Sequence, residues 1–443
     1  MPQKRPLGGI KTHGEWLLAG KQLAKPDEYT VFEPQYVFLP MLQHIGAPCE
    51  PIVEVGQSVK LGQPVGDTEE KVAAPVHASV SGTVKSVEEW PRVGGGKAIT
   101  VMIQNDHRYS VWEEQGHGEL PSASVKDRLA AIRKAGIVGM GGATFPTALK
   151  LDRGEKEIEV CILNGAECEP GLSADNALMI QQTQKIVRGL RYIMEICSAA
   201  RGLIGIEEDK PRAIEKMRRA CEDEAGIEVE TLPSIYPQGG EKQLIYALTG
   251  REVPTNGGLP ADVGVVVANV GTAFSVAGAL AHGSALVNRV CTVSGDVLHP
   301  QNLQFPIGTL VGDLIEHCGG FKGAPSKVIV GGPMMGRTID SLQVPMEKGA
   351  NGILVYAQEH DHLYAESPCI RCNRCLEACP MRLEPWAIDR AYRKQKWATC
   401  RWLQAESCIN CGCCTYVCPA TRRLAEKIVE AKNELARQRK EAE

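Results

Sequence analysis

The chain has 443 residues and a formal net charge of −4, with 43% hydrophobic and 23% charged residues. It is too long for one compact core, and its composition is that of a globular protein of several domains. The mildly acidic balance argues against nucleic-acid binding, which normally shows as a basic domain, and 17 cysteines in a chain of this size exclude a small secreted disulfide scaffold. The opening MPQKRPLGGIK has no apolar stretch of the kind a signal peptide needs, so the cysteines are expected to be reduced in a cytosolic setting.

Residues 1–122 are rich in Val, Gly and Pro. Short runs at 52–55, 59–61, 80–87 and 99–103, separated by turn residues, predict a small β-barrel or sandwich. The stretches VEVGQSVKLGQPVGD and AAPVHASVSGTVKSVE resemble the hammerhead, or barrel-sandwich hybrid, fold of biotinyl and lipoyl domains. A carrier role fails on one detail. Attachment needs a lysine on a hairpin tip well ahead of the Ala-Pro, whereas Lys71 sits almost against Ala74-Pro75. The module is therefore read as structural. Residues 113–124, EEQGHGELPSAS, are polar and turn-rich and predict a linker.

Residues 123–287 read as an α/β domain with a largely parallel sheet. SVKDRLAAIRKAG begins with Ser124 as helix N-cap, carries apolar residues at helical spacing and stops at Gly136. Strands at 158–163, 203–206 and 227–231 alternate with helices at 176–197, 211–225 and 242–248. The segment 263–281, VGVVVANVGTAFSVAGALA, is nineteen residues without a charge, long enough to be weighed as a membrane span. Asn269, three glycines and a change of pattern midway argue otherwise. Residues 263–270 are a β-branched run suited to a buried strand, and 272–281 are small and Ala-rich, as in a packed helix. The segment is read as strand–turn–helix, so any membrane association runs through partners.

Residues 288–355 return to short strands around a helix (RVCTVSGDV, GTLVGDLIEHCGG, KVIVGG) and predict a small α+β domain. Residues 356–443 form a cysteine-rich domain that closes on a charge-alternating helix, 424–443, with a solvated face.

Ten of the cysteines lie between Cys369 and Cys418, and two runs match one template. The first is Cys369-x2-Cys372-x2-Cys375-x3-Cys379-Pro380, and the second is Cys408-x2-Cys411-x2-Cys414-x3-Cys418-Pro419. This is the bacterial ferredoxin spacing, in which the fourth cysteine of each run ligates the other [4Fe–4S] cluster. Two-residue gaps let three thiolates wrap one face of a cubane, and the proline ends the run. Cluster one is assigned to Cys369, Cys372, Cys375 and Cys418, and cluster two to Cys408, Cys411, Cys414 and Cys379. Zinc is the alternative, but zinc ribbons use separated C-x2-C pairs and not triplets with a trailing Cys-Pro. Cys400 and Cys413 fall outside the register and are read as buried thiols, as are the seven cysteines of the earlier domains. Residues 369–401 hold eight Lys/Arg against three Asp/Glu. This excess offsets the anionic clusters or suits an acidic redox partner, the former being the plainer account.

A pair of one-electron carriers needs a source and a sink. Gly139-Met140-Gly141-Gly142-Ala143-Thr144-Phe145-Pro146-Thr147 is a glycine-rich loop that follows a helix and is not GxGxxG. Three further segments lie at predicted carboxyl ends of strands, where open α/β sheets bind ligands. They run from Asn164 to Gly171, from Tyr236 to Lys242 and from Ala268 to Thr272.

Taken together, GMGGATFPTALK, LNGAECEPGLSADNALM, YPQGGEKQLIYALTG and the ferredoxin-like pair resemble the RnfC family, a component of Rnf electron-transport complexes. The resemblance covers essentially the whole chain, including the opening GGIK. The α/β domain is also similar to the flavoprotein subunit of respiratory complex I and so to a Rossmann-like FMN/NAD(H) domain. Residues 288–355 resemble the β-grasp (SLBB-like) module found beside such domains. The resemblance implies FMN lined by Gly139, Gly141, Lys150, Asn164, Glu167, Gly240, Glu241, Asn269 and Thr272, with Phe145 and Glu169 contacting NAD(H). Backbone N–H groups and Lys150 suit a phosphate, and Phe145 offers a ring for stacking. Two positions depart from the complex I pattern: Lys242 replaces a second acidic residue, and Ala166 replaces an aspartate. The plain alternative for Glu167 and Glu169 is a pair of helix N-terminal charges ahead of 172–178. Cys168 between them is read as a packed thiol.

The implied activity is that of a subunit of an ion-translocating ferredoxin:NAD+ oxidoreductase. It would exchange hydride between NAD(H) and FMN and single electrons through two [4Fe–4S] clusters, with no catalytic side chain required. The implied partners are the other Rnf subunits, integral-membrane ones included, with ferredoxin as indirect donor or acceptor. The implied place is the cytoplasmic face of the bacterial cell membrane. One rival is a cobalamin reductase of diol-utilisation microcompartments; those proteins open near the glycine loop, so the N-terminal β-module argues against it. The other is a non-catalytic iron–sulfur scaffold protein without flavin.

Overall fold

The computed structural model describes residues 8–11, 24–113, 123–255, 257–361 and 365–442. The polar stretch 114–122, most of the expected linker, lies outside them.

In the N-terminal β-module, a long hairpin of Gly82–Pro91 and Lys97–Asn105 is flanked by Tyr36–Pro40 and Ser58–Val59 in one four-stranded antiparallel sheet. Glu50–Pro51, Pro64–Asp67 and Val76–His77 form a three-stranded second sheet. Val37, Leu39, Val65, Val84, Val101 and Ile103 fill the space between them and are fully buried. Each such side chain stabilises the fold by about 1.5–3 kcal/mol. The expected strand at 52–55 does not form. Only Val53 of the run is buried, Ile52 and Val55 are exposed, and the chain turns at Gly56, whose φ is +89°.

The α/β domain is built on four parallel strands in the order Ile227–Leu232, Arg201–Glu207, Val160–Gly165, Val265–Asn269. The three strands other than the edge strand Ile227–Leu232 are buried almost throughout, reflecting cover on both faces. Two expected helices are revised. The run 176–197 is two helices, Ala174–Gln181 and Thr183–Cys197. At the break, the Thr183 hydroxyl donates to the Met179 carbonyl at 2.6 Å, a local bond that competes with the helix ladder. The next helix, Pro211–Ala220, ends at Ala220 and not at 225. Glu222, Asp223 and Glu224 would sit at its negative C-terminal pole. Val265–Asn269 runs directly into the helix Val270–His282, because the Asn269 side chain caps it by accepting the Gly271 N–H at 2.8 Å.

The third unit is a six-stranded mixed sheet with the helix Val311–His317 packed on it. Its edge strand, Thr30–Val31, comes from the N-terminal part of the chain and pairs in parallel with Gln301–Pro306. The C-terminal unit is helical. Leu424, Ile428, Ala431 and Leu435 form the buried stripe of the helix Leu424–Ala442 and pack on the cysteine-bearing loops. Among the described residues, no helix is long and apolar enough to cross a membrane.

Candidate functional site

The carboxyl ends of the parallel strands and the glycine loop converge on one place. The loop is closed at its base, where the Gly139 N–H donates to the Phe145 carbonyl at 2.9 Å and Thr147 N–H to the Ile137 carbonyl at 3.0 Å. Phe145 is half-buried at this base, while the tip, Gly141–Ala143, is exposed. A hydrogen bond from Met140 N–H to Thr272 Oγ1 (3.0 Å) seats the loop on the N-terminus of the helix Val270–His282. A Cβ on Gly141 would lie 3.6 Å from that of Asn269. Asn269 Nδ2 donates to Asp175 Oδ2 at 2.7 Å. Burial pushes the Asp175 carboxyl up, while Asn269 and the charges of Arg289 and Lys210 oppose the rise.

On the other side, Lys150 pairs with Glu241 at 2.7 Å. Asn164 Nδ2 donates to the Gly239 carbonyl at 2.8 Å, and its Oδ1 accepts the Ala166 N–H at 3.2 Å. Gly240 caps the helix Glu241–Thr249. Thus Gly139, Gly141, Lys150, Asn164, Gly240, Glu241, Asn269 and Thr272 all come to the strand ends. Glu167 is there too, in the left-handed region at φ 48°. Its carboxylate accepts the N–H groups of Asp175 (2.7 Å) and Asn176 (3.1 Å), so it caps the helix Ala174–Gln181. Two residues on, the Glu169 carboxylate accepts the N–H groups of Met334 (3.0 Å) and Met335 (2.9 Å), at the border with the small domain.

The site offers what a flavin nucleotide asks for. Gly142, at φ +103°, faces open space, so the loop tip is bare backbone. Among the described residues, Gln238, 1% exposed, finds no partner for either amide atom, and buried amides normally have one. Sequence reasoning missed Arg289, which ties the loop to the small domain through the carbonyls of Met140 and Ala350.

In the C-terminal unit the two cysteine runs fold alike. Arg371 and Asn410, Asn373 and Gly412, and Arg382 and Thr421 occupy matching places in the two runs, and all six have positive φ, between 48° and 77°. Non-glycine residues adopt this conformation at a cost, and here it bends each run around its cysteines. Cys418 of the second run lines one cavity with Cys369, Cys372 and Cys375 of the first, and Cys414 also feels Cys375 across the two runs. Burial pushes the Cys375 thiol up, with Cys418, Cys369 and Cys372 adding to the rise. The same holds for Cys379 with Cys411 and Cys408, and for Cys414 with Cys408, Cys411 and Cys379. One cavity is lined by Cys369, Cys372, Cys375 and Cys418, together with Trp386 and Arg422. Among the described residues, no three His, Cys, Asp or Glu are grouped to hold a single metal ion. Two four-thiol sets wrapped by strained loops fit two cubanes. Cys400 and Cys413 are both buried, as are the cysteines of the earlier domains apart from the half-buried Cys168.

Comparison with known proteins agrees with this division. Four family models match: the RnfC barrel sandwich hybrid domain over residues 13–108, the Nuo51 FMN-binding domain over 132–278, the SLBB domain over 290–338 and the 4Fe-4S dicluster domain over 368–421. The chain is 47% identical over 360 residues to the C subunit of the proton-translocating ferredoxin:NAD(+) oxidoreductase complex of Clostridium ljungdahlii, covering 80% of this chain and 77% of that one. It is 44% identical over 411 residues to the Na(+)-translocating counterpart of Acetobacterium woodii, covering 92% and 93%. The corresponding protein of the ion-translocating oxidoreductase complex of Vibrio cholerae is longer; the match at 38% identity covers 84% of this chain and 48% of that one. Among solved structures, a chain of an NAD+-reducing [NiFe]-hydrogenase aligns with TM-score 0.51 at 21% identity, over 73% of this chain and 64% of that chain. That likeness is one of fold.

Proposed function

Because the chain belongs to the RnfC family of ion-translocating oxidoreductase complexes, we propose that it is the nicotinamide-linked subunit of a ferredoxin:NAD+ oxidoreductase. It is one subunit of a larger complex and carries an FMN-binding domain and a 4Fe–4S dicluster domain. The observation that carries the finer reading is the convergence of the glycine loop, Lys150–Glu241, Asn164 and Asn269 on the strand ends.

Gly139, Gly141, Lys150, Asn164, Glu167, Gly240, Glu241, Asn269 and Thr272 would hold FMN. The bare N–H groups of the loop and the Lys150 ammonium would take the phosphate. Phe145 and Glu169 would meet the NAD(H) that docks above. Bound flavin supplies the exchange between an electron pair and single electrons. Glu167 and Asn269 cap the two helices that frame the site, and so fix where a ligand can lie. Cys369, Cys372, Cys375 and Cys418 would hold one [4Fe–4S] cluster, and Cys408, Cys411, Cys414 and Cys379 the other. The second set lies against the α/β domain: Cys411, Cys413, Ala378, Tyr236 and Ile10 share one apolar cluster with Cys168 and Met334. Cys369 and Cys372 of the first set are exposed. The second cluster is thus the neighbour of the flavin, and the first faces the partner proteins. Those partners would include integral-membrane ones, with this chain on the cytoplasmic side.

The composition of anaerobically purified protein tests this reading. About one flavin and about eight irons per chain, with cubane EPR signals, are expected. Four irons or fewer, or no flavin, would overturn the corresponding half.

A further inference from the structure

One short segment of the α/β domain reaches both arms of the second cysteine set. The loop that begins at Tyr236 leads into the helix Glu241–Thr249, and its flavin-side attachments are Asn164 to Gly239 and Lys150 to Glu241. From the same segment, the Tyr236 hydroxyl donates to the Cys411 carbonyl at 2.8 Å. Gln243 Nε2 donates to the carbonyl of Pro380, the residue after Cys379, at 3.1 Å. Tyr236 is 2% exposed and Gln243 8%. Cys411 and Cys379 come from different runs but belong to one set, so two side chains grip both arms of it.

The N-terminal strap closes the grip. Ile10 and Tyr236 exchange backbone hydrogen bonds at 2.8 and 3.0 Å, and the Gly9 N–H donates to the Ala378 carbonyl at 3.0 Å. At Gly8 and Gly9 this strap leaves no room for a side chain. A Cβ on Gly8 would lie 2.8 Å from the Cys379 carbonyl oxygen, and one on Gly9 would lie 2.7 Å from that of Tyr236. Both glycines have φ above 90°.

We propose that Tyr236 and Gln243 are positioning residues for electron passage. They hold the second cluster's ligand loops at a fixed place against the flavin loop, and Tyr236 also sets that cluster's potential. The proposal rests on the flavin and cluster reading above. The balance is simple: NADH and two oxidised clusters give NAD+, one proton and two clusters each reduced by one electron. A buried hydroxyl proton aimed at the Cys411 carbonyl adds positive potential beside the cluster and favours its reduced form. Hydrogen bonding and local dipoles are among the levers that set such potentials. Without the hydroxyl, the carbonyl oxygen stands uncompensated in a buried place.

The test uses the full-length holoprotein with Tyr236→Phe and, separately, Gln243→Met, which matches size but donates nothing. EPR-monitored titration with dithionite reads both cluster potentials and needs no flavin; stopped-flow mixing with NADH reads flavin bleaching and then cluster reduction. In Y236F the potential of the second cluster falls and that of the first stays. In both variants NADH bleaches the flavin as before, while cluster reduction slows by about tenfold, the scale of one lost hydrogen bond. Unchanged potentials in Y236F together with unchanged cluster reduction in both variants would overturn the proposal. If NADH bleaches no flavin even in the unaltered protein, the flavin reading fails instead, and the dithionite titration still decides whether Tyr236 sets the potential.

Discussion

Lys150 Nζ lies 2.7 Å from Glu241 Oε1, joining the helix after the glycine loop to the helix after the Tyr-Pro-Gln-Gly-Gly loop. Both side chains are more than a third exposed, so the pair itself contributes only about 0–1 kcal/mol to the fold. Its proposed value lies in holding an ammonium for the flavin phosphate. Lys150→Ala is expected to leave the thermal midpoint within about 2 °C of the unaltered protein. It should also weaken FMN retention by about tenfold or more, since a charge-assisted contact to phosphate is lost. Flavin titration of the stripped protein measures this. Equal affinity would remove Lys150 from the site.

The crossed cysteine sets make a pairing prediction that spacing within one run does not. Cys418→Ser should erase the same cluster signal as Cys369→Ser, and Cys379→Ser the same signal as Cys411→Ser. Each variant should retain about four irons. EPR of the dithionite-reduced variants reads the pairing. If Cys418→Ser instead matches Cys408→Ser, the sets are not crossed.

What could be read from the sequence was whatever repeats locally. The Cys-x2-Cys-x2-Cys-x3-Cys-Pro spacing survives in any context, because short gaps alone bring three thiols to one face. Strand ends followed by Gly or Asn also mark themselves, as at Asn164 and Asn269. Contacts made by a single side chain across the chain leave no such trace. Glu169 reaches Met334 and Met335, Tyr236 reaches Cys411, and Thr30–Val31 completes a sheet whose other strands begin at Asn288. None has a period or a spacing to announce it. The one available signal was the pair Gly8-Gly9, which a structureless terminus would not need. The helix boundaries missed at 182 and 220 turned on side-chain chemistry, a Thr183 hydroxyl and an acidic triplet, and not on hydrophobic period.

A buried titratable cluster beneath the glycine loop makes the fold sensitive to acid. Lys348 Nζ donates to the carbonyls of Pro75 (2.6 Å) and Gly136 (2.8 Å), tying the β-module to the base of the loop. Burial, with the Lys348 charge adding, pushes His77 down to about 3. Burial also takes His44 down to about 4, with Lys348 and Arg92 adding. Both histidines titrate near 6.5 when unfolded, so the unfolded state takes up protons first as pH falls. Their contribution is intact above pH 6.5 and is lost as pH falls towards the folded values. Between pH 7.5 and 5.5 each costs about 1.4 kcal/mol. Lys348, lowered to about 8, remains protonated through most of that span. His77→Gln should therefore flatten the pH dependence of the unfolding free energy from urea titration by about that amount. An unaltered slope would show that His77 is not held neutral.

This chain is proposed to convert an electron pair from NADH into single electrons in its own two clusters. Anaerobic mixing of the purified holoprotein with NADH, followed in the visible band and by freeze-quench EPR, tests it most directly. Bound flavin should bleach first, the signal of the second cluster should appear next, and that of the first cluster should follow. Clusters that reduce with no flavin change, or a flavin that NADH does not bleach, would contradict it.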